Sequence, residues 1–223
     1  MAERNLILYT TYQFNQNFWN SSVKDQQEIK SLIASEASKA AEATHFYDVF
    51  PTRSDSDFMI WSAWGADELD AVDKSFSAFQ NASVHWRRFA VPTQTLWGMT
   101  RVSTYARGKS EQDIDPFEGG RTKYLVVYPF SKTKEWYLMS MDARQGQMNE
   151  HIKLGKQYPE IKQLLLYSFG LQDQEFVVSY ETEDLAKFSE LVNMLRQTEA
   201  RRHTSLDTPI ITGIYRTASQ FSE

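Results

Sequence analysis

The order of elements along the 223-residue chain indicates an α+β fold made of two copies of one β-α-β-β-α-β unit. The copies also match locally, because DFMIWSAWGADEL is similar to QEFVVSYETEDL, and WGMTR (97–101) is similar to TGIYR (212–216). Each β-α-β-β-α-β unit is a ferredoxin-like module, whose helices cover only one face of its sheet. The uncovered faces of two tandem modules are expected to pair and form an α+β barrel.

The first module is predicted over residues 1–107. β-Branched and aromatic residues predict strands at NLILYTTYQ, HFYDVFP, DFMIWSAWG and TQTLWGMTRVSTY. Apolar residues at spacings of three and four predict two helices. The first begins at a cap provided by Ser21 or Ser22, and the second begins near Asp67 with Leu69 on its apolar face.

Residues 108–121, GKSEQDIDPFEGGR, contain glycine, proline and little apolar bulk, and they are predicted to be a linker. The second module, 122–223, then repeats the order. Strands are predicted at KYLVVYPF, KQLLLYSFG, EFVVSYE and TPIITGIYR. One helix is predicted from about Glu135 to Tyr158, and Thr182 is expected to cap another.

Composition excludes several classes of function. With 24 basic and 29 acidic residues the net charge is −5, so no positive field is available to hold nucleic acid or an anionic membrane. No apolar run approaches the roughly 20 residues that span a bilayer, and the N-terminus does not read as a secretory signal. The chain has no cysteine, which excludes disulfides, thiolate nucleophiles and iron–sulfur clusters. We expect a cytoplasmic protein without a nucleic-acid partner.

His151 is the histidine whose surroundings suggest chemistry. In MNEHIKLGKQY, it shares one helical face with Met148, Gly155 and Tyr158. A single imidazole on an apolar, inward face suits an axial ligand of haem iron, and Gly155 would leave room beside the ring. A core histidine bonded to the backbone fits the same pattern, and periodicity alone favours that interpretation.

Glu199 extends the apolar stripe of the last helix and is expected to face inward. A buried carboxylate needs a partner, and the Nδ1–H of His151 would provide one and orient the ring. An ion pair with Arg202 or His203 at the helix end is the alternative.

Tyr128 and Lys132 are predicted on the same side of the strand in KYLVVYPFSKTKEWY, and Trp136 follows. A phenol, a cation and a flat apolar surface together suit a flat ligand that carries carboxylates. An ordinary buried strand with a solvated lysine at its end is the alternative.

Four blocks of the second half resemble the chlorite dismutase-like haem proteins, and within them the coproheme decarboxylases. The blocks are YPFSKTKEWY, MNEHIKLGKQYP, YSFGLQDQEFVVSYETED and LRQTEARRHT…DTPI, in the same order between Tyr124 and Ile214. The resemblance implies a tandem ferredoxin-like barrel, commonly a homopentamer, with haem b or coproheme as cofactor. It implies oxidative decarboxylation of coproheme to haem b with hydrogen peroxide. A haem-binding or sensing protein with weak peroxidase activity, and a barrel without porphyrin, are the alternatives.

The resemblance also implies roles for particular residues. His151 lies in the motif that supplies the proximal iron ligand. Tyr128 matches the tyrosine that becomes a radical and acts on the substrate propionate. Lys132 matches a propionate-binding lysine, and Trp136 matches an aromatic residue of the pocket. Glu199 lies near the proximal glutamate of chlorite dismutases.

One position departs from the chlorite dismutases. These enzymes carry a distal arginine downstream of the proximal histidine, and Leu164 occupies that position here, beside Gln163. Without the guanidinium, efficient conversion of chlorite to dioxygen is not expected. Leu164 itself is expected to line the porphyrin site.

Overall fold

The computed structural model describes residues 4–105, 108 and 110–223. The strands of this part of the chain are β1 Asn5–Phe14, β2 Ala43–Asp48, β3 Phe58–Gly65, β4 Ala90–Met99, β5 Tyr124–Lys132, β6 Lys162–Tyr167, β7 Phe176–Thr182, β8 Thr204–Leu206 and β9 Ile211–Arg216. The helices are α1 Gln16–Trp19, α2 Val23–Ala40, α3 Ala71–Ser83, α4 Lys134–Leu138, α5 Met141–Gly155, α6 Leu185–Leu195 and α7 Ala218–Ser222, with a 3₁₀ helix at Glu199–His203.

The strands close into a barrel, which confirms the predicted α+β class with two ferredoxin-like modules. Neighbours follow the order β7-β6-β4-β1-β3-β2-β9-β5, and β5 pairs in turn with β7. The short strand β8 extends the sheet at the end of β5. The modules therefore meet at two joints, where β4 pairs with β6 and β2 pairs with β9.

Each joint contains a glycine from the repeated motif. A Cβ on Gly98 of β4 would lie 2.8 Å from the Tyr167 carbonyl oxygen, and one on Gly213 of β9 would lie 2.7 Å from the Tyr47 Cβ. Real Cβ atoms do not approach other atoms this closely. The similarity of WGMTR and TGIYR is therefore explained by one requirement, a close approach of strands where the two modules join.

Three apolar layers stabilise the barrel. Alternate side chains of the strands fill its interior, and the opposite faces are covered by helices. Helices α2, α3 and α7 cover the first module. Helices α5 and α6 pack together beside the second, where the outer cluster contains Val126, Tyr128, Leu165, Val178, Tyr180 and Phe188.

Several predicted boundaries in the first module are wrong by a few residues. Helix α2 is capped, as predicted, by Ser22, whose hydroxyl accepts a hydrogen bond from the Asp25 N–H. Helix α3 begins after Asp70 rather than near Asp67, so Leu69 precedes the helix and is fully exposed. The last strand of the module, β4, ends at Met99.

The helix predicted from Glu135 to Tyr158 is two helices. The first, α4, ends at Leu138, and the Ser140 hydroxyl accepts from the Ala143 N–H to begin α5. Helix α6 is capped by Asp184 rather than Thr182, because the Asp184 carboxylate accepts from two N–H groups of the first turn. Thr182 instead accepts from the Asp184 N–H.

The segment 108–121 contains no helix or strand among its described residues, yet it is not a free linker. Gln112 and Ile114 exchange backbone hydrogen bonds with Gln163 of β6, at 2.7 and 3.0 Å. The Ile114 side chain is buried in the barrel interior, and the Arg121 side chain is 1% exposed. Alternating charged and apolar residues allow this segment to pack along the barrel rather than span open solvent.

Candidate functional site

The outward face of β5 places the predicted tyrosine under the helices of the second module. Leu125 and Val127 point into the barrel, whereas Val126 and Tyr128 belong to the outer cluster. The Tyr128 ring stacks on Tyr180 with 6.1 Å between ring centres. Burial raises the pKa of Tyr128 well above its usual range, and Tyr180 raises it further. The phenol therefore keeps its hydrogen at neutral pH.

Lys132 lies at the end of β5, where the register shifts between Ser131 and Lys132. Its Nζ lies 4.6 Å from the centre of the Trp136 ring, within the range of a cation–π contact. It also donates to the Ala200 carbonyl at 3.2 Å. Burial lowers the pKa of Lys132 to about 8, and the charge of Arg201 lowers it further. At pH 7 the ammonium is still mostly protonated and available to a carboxylate.

Trp136 on α4 is 3% exposed and brings aromatic surface to the same place. Its ring lies 6.2 Å from Tyr105 and 5.8 Å from His203, measured between ring centres. The structure thus brings Lys132 and Trp136 into contact, as the predicted site requires.

His151 projects from α5 and is half-buried. Burial lowers its pKa to about 4, and the charge of Lys132 lowers it further. Its Nδ1 is buried and has no hydrogen-bond partner among the described residues. A neutral imidazole without a competing hydrogen bond is the form that ligates iron. A nitrogen donor, a cation and aromatic faces in one region fit an iron porphyrin with carboxylates.

The expected contact between Glu199 and His151 is absent. Helix α6 ends at Leu195, and Glu199 begins a 3₁₀ helix, so the apolar stripe does not continue through it. The Glu199 side chain is 58% exposed, and its carboxylate lies 3.2 Å from the Arg202 Nε. The alternative, an ion pair at the helix end, is what the structure contains.

Leu164 lies on the opposite face of the sheet from Tyr128. It packs in the barrel interior with Ile114, whereas its neighbour Leu165 packs in the outer cluster. Successive strand residues point to opposite faces, so an offset of one residue changes the face. The expectation that Leu164 lines the site is therefore wrong. The flanking positions of β6, Gln163 and Leu165, carry no guanidinium either.

Two polar side chains missed by the sequence analysis lie on the inner face of α5. The Arg144 Nε and the Gln147 Oε1 are buried without hydrogen-bond partners among the described residues. Their spacings of seven and four residues from His151 place them on its face of the helix. The same 3.6-residue periodicity, applied to polar residues as well as apolar ones, would have found them.

Other possible sites contribute little. No cluster of acidic, histidine or cysteine side chains suited to a metal ion is present among the described residues. Within the same ranges, no helix is long and apolar enough to cross a membrane. An open cleft of about 600 Å³ between α2 and α3 lies in the first module and shares no residue with the site around His151.

Comparison with known proteins identifies the family. The chlorite dismutase family model matches residues 23–216. The chain belongs to the chlorite dismutase family. A coproheme decarboxylase of Mycolicibacterium smegmatis is 29% identical over 186 residues, which cover 83% of this chain and 78% of that protein. The coproheme decarboxylase of Staphylococcus saprophyticus is 29% identical over 175 residues, covering 70% and 67% of the two chains.

Solved structures of this family share the whole fold. A crystal structure of a protein assigned as a chlorite dismutase superposes with a TM-score of 0.79 at 27% identity, covering 98% of both chains. The chlorite dismutase of Candidatus Nitrospira defluvii in complex with imidazole has a TM-score of 0.79 at 24% identity, covering 98% of this chain and 93% of that one. The family assignment and the tandem ferredoxin-like barrel predicted from the sequence are both confirmed.

Proposed function

We propose that this protein converts iron coproporphyrin III (coproheme) to haem b by oxidative decarboxylation of two propionates, with hydrogen peroxide as oxidant. The observation that carries the proposal is the placement of Tyr128 and Lys132 along one strand, with Trp136 against the lysine. A half-buried, neutral His151 lies on the neighbouring helix. The names of the relatives from Mycolicibacterium and Staphylococcus support it.

The residues divide the work of binding. His151 would hold the iron through its neutral imidazole, and Lys132 would bind a propionate carboxylate. Trp136 would offer its ring to the flat macrocycle. The bound iron porphyrin supplies the reaction with peroxide, which the side chains of this chain do not perform alone.

The stoichiometry of the proposed reaction is fixed by its atoms. Each propionate leaves carbon dioxide and a vinyl group, and it releases two electrons and one proton. Hydrogen peroxide takes up two electrons and two protons to form two water molecules. Each decarboxylation therefore consumes one peroxide, and haem b formation consumes two.

Tyr128 would carry the hydrogen atom in this reaction. Its phenol is neutral, so it loses a proton together with an electron when it is oxidised to a phenoxyl radical. The radical then takes a hydrogen atom from the β-carbon of a propionate and returns to the phenol. The Tyr180 ring stacked against it restricts its orientation.

Conversion of chlorite is not proposed, because neither Leu164 nor the outward-facing residues beside it on β6 offer a guanidinium. Assembly as a homopentamer and a cytoplasmic location stay predictions from the sequence.

The decisive experiment adds iron coproporphyrin III to the purified protein, titrates hydrogen peroxide and follows the porphyrin by mass spectrometry. Loss of two carboxyl groups with two equivalents of peroxide, ending at haem b, is expected. Tight binding followed only by bleaching of the porphyrin would contradict decarboxylation and favour a haem-binding or sensing protein with weak peroxidase activity. Absence of a Soret shift on mixing would remove His151 from iron binding.

A further inference from the structure

The inner face of α5 carries three buried polar atoms without hydrogen-bond partners among the described residues: the Arg144 Nε, the Gln147 Oε1 and the His151 Nδ1. The three residues follow one another at spacings of three and four, so they share one side of the helix. Buried polar groups in folded proteins are nearly always hydrogen-bonded, and leaving one unpaired is costly. Three such atoms on one face indicate that this face meets a polar group that is not among the described residues.

Arg144 is the strongest of these indications. Its guanidinium is always charged. The Nε of this group is buried and has no hydrogen-bond partner among the described residues. A partly buried cation without a partner is unfavourable unless an anion reaches it. The carboxylate of Glu150 on the same helix is directed elsewhere, because it accepts the Glu199 N–H at 3.4 Å.

The surroundings of Arg144 place it on the side of the site where Lys132 lies. The Arg144 charge acts on Tyr137, whose hydroxyl donates to the carboxylate of Glu175. The same Glu175 carboxylate accepts the backbone N–H of Lys132 at 2.7 Å. Tyr137 and Lys132 therefore share the Glu175 carboxylate, and the Arg144 charge is near enough to act on this network.

The spacing along α5 fits a porphyrin. Arg144 precedes His151 by two turns, or about 10 Å along the helix axis. This is comparable to the reach from the centre of a porphyrin to the carboxylates on its edge. A planar guanidinium binds a carboxylate through two parallel N–H groups, which fixes its orientation as well as its charge.

We propose that Arg144 binds a propionate carboxylate of the porphyrin held at His151 and so positions the substrate. The inference deepens the proposed function, since it rests on a porphyrin lying against α5. Arg144 on α5 would be a second cation for the propionates, in addition to Lys132 at the end of β5.

The test compares the affinity of the protein for iron coproporphyrin III and for its tetramethyl ester, which lacks the negative charges, by titration of the Soret band. Arg144→Met is expected to weaken binding of the free acid about tenfold to a hundredfold, as for loss of a charge-assisted hydrogen bond. Binding of the ester is expected to stay within the error of the wild-type value. Lys153→Met, which removes an exposed cation from the same helix, is the matched control and should change neither affinity.

Arg144→Lys separates the effect of the positive charge from that of the planar guanidinium. It also tests the proposal if Arg144→Met does not fold. It is expected to bind the free acid with intermediate affinity, because an ammonium keeps the charge but not the paired N–H groups. Equal losses for acid and ester, or no loss for either, would overturn the role of Arg144.

The same titration distinguishes this inference from the proposed function. The spectrum of the ferrous complex reports whether a histidine ligates the iron, and His151→Ala provides the reference without it. Histidine ligation with an unchanged acid-to-ester ratio in Arg144→Met would overturn only the role of Arg144. If decarboxylation fails but the acid-to-ester affinity ratio changes as expected in Arg144→Met, the proposed function would be overturned. Arg144 would then still be a carboxylate-binding residue.

Discussion

The Lys132 ammonium lies 4.6 Å from the centre of the Trp136 ring, at the end of the strand that carries Tyr128. This contact places a partly desolvated cation beside the aromatic wall of the site. Burial, which lowers its pKa to about 8, makes its charge sensitive to pH in a range where arginine does not titrate.

Binding of a porphyrin carboxylate by Lys132 is therefore expected to weaken as the pH rises above about 8. The protonated form, present below that pKa, is the one that pairs with the carboxylate, and the decrease is at most about tenfold per pH unit for one proton. The measurement is the Kd for iron coproporphyrin III between pH 7 and 9.5. The pairing itself favours the ammonium, so the midpoint in the complex will lie above that of the free protein.

Lys132→Met is the control for this pH dependence. It should bind more weakly at pH 7 and show a flatter profile. An unchanged profile in Lys132→Met would assign the pH dependence to another group.

Tyr128→Phe is expected to abolish formation of vinyl groups while leaving porphyrin binding nearly unchanged. The substitution removes only the hydroxyl, so the ring still packs on Tyr180, but no phenol hydrogen is left to transfer. Product analysis by mass spectrometry and the Kd from the Soret band provide the two readings. Tyr180→Phe is the matched control, because it removes a neighbouring phenol and keeps the stack. Haem b formation by Tyr128→Phe would exclude Tyr128 from hydrogen transfer.

The fold could be predicted from the sequence because each half repeats one order of strands and helices. The repeated Gly98 and Gly213 mark the two joints, and their short contacts explain why the motif recurs. Boundaries such as the break before α5 depend on a single cap at Ser140, which the apolar pattern of a long helix concealed.

The positions of the candidate residues, as distinct from their roles, follow only partly from the sequence. Tyr128 lies on the outer face of β5, as alternation predicts, whereas Lys132 follows a shift in register and contacts Trp136. Glu199 was misplaced because α6 ends before it, and Leu164 because an offset of one residue exchanges the two faces of a strand. The Glu199 error could not be detected from periodicity alone, since it depends on where the helix ends.

Two histidines whose pKa is lowered by burial, His45 and His151, are expected to destabilise the ligand-free protein in acid. Burial lowers the pKa of His45 and of His151 to about 4, whereas an unfolded histidine titrates near 6.5. Between these values the unfolded chain binds more protons than the native one, so stability falls as the pH decreases from 6.5 to 4. Urea unfolding at several pH values measures this slope.

His151→Gln should reduce the slope by up to about 1.4 kcal/mol per pH unit, the effect of one proton. His45→Gln provides the comparison, because burial lowers the pKa of His45 to the same value. The His45 Nε2 also donates to the Pro116 carbonyl at 3.0 Å. If the slope of His151→Gln equals that of the wild type, the His151 imidazole is not kept neutral by burial.

The buried ion pair of Arg121 and Glu181 is expected to be the most sensitive electrostatic contact of the barrel. Their side chains are 1% and 4% exposed, with 3.5 Å between the Arg121 Nε and the Glu181 Oε1. The guanidinium also lies over the Trp61 ring and donates to the Asp115 carbonyl at 2.9 Å, which ties the segment before β5 to the barrel.

Arg121→Met should cost about 3–5 kcal/mol in the free energy of unfolding, because the buried Glu181 carboxylate loses the cation of its ion pair. The double variant with Glu181→Leu should recover most of that loss, since it removes both charges at once. Lys187→Met, which breaks the exposed pair with Glu160, is the control and should cost less than about 1 kcal/mol. Urea unfolding of the wild type, Arg121→Met, Glu181→Leu and the double variant completes a double-mutant cycle. A cost for Arg121→Met no larger than that for Lys187→Met would show that the segment 108–121 is held to the barrel by packing of Ile114 and not by this ion pair.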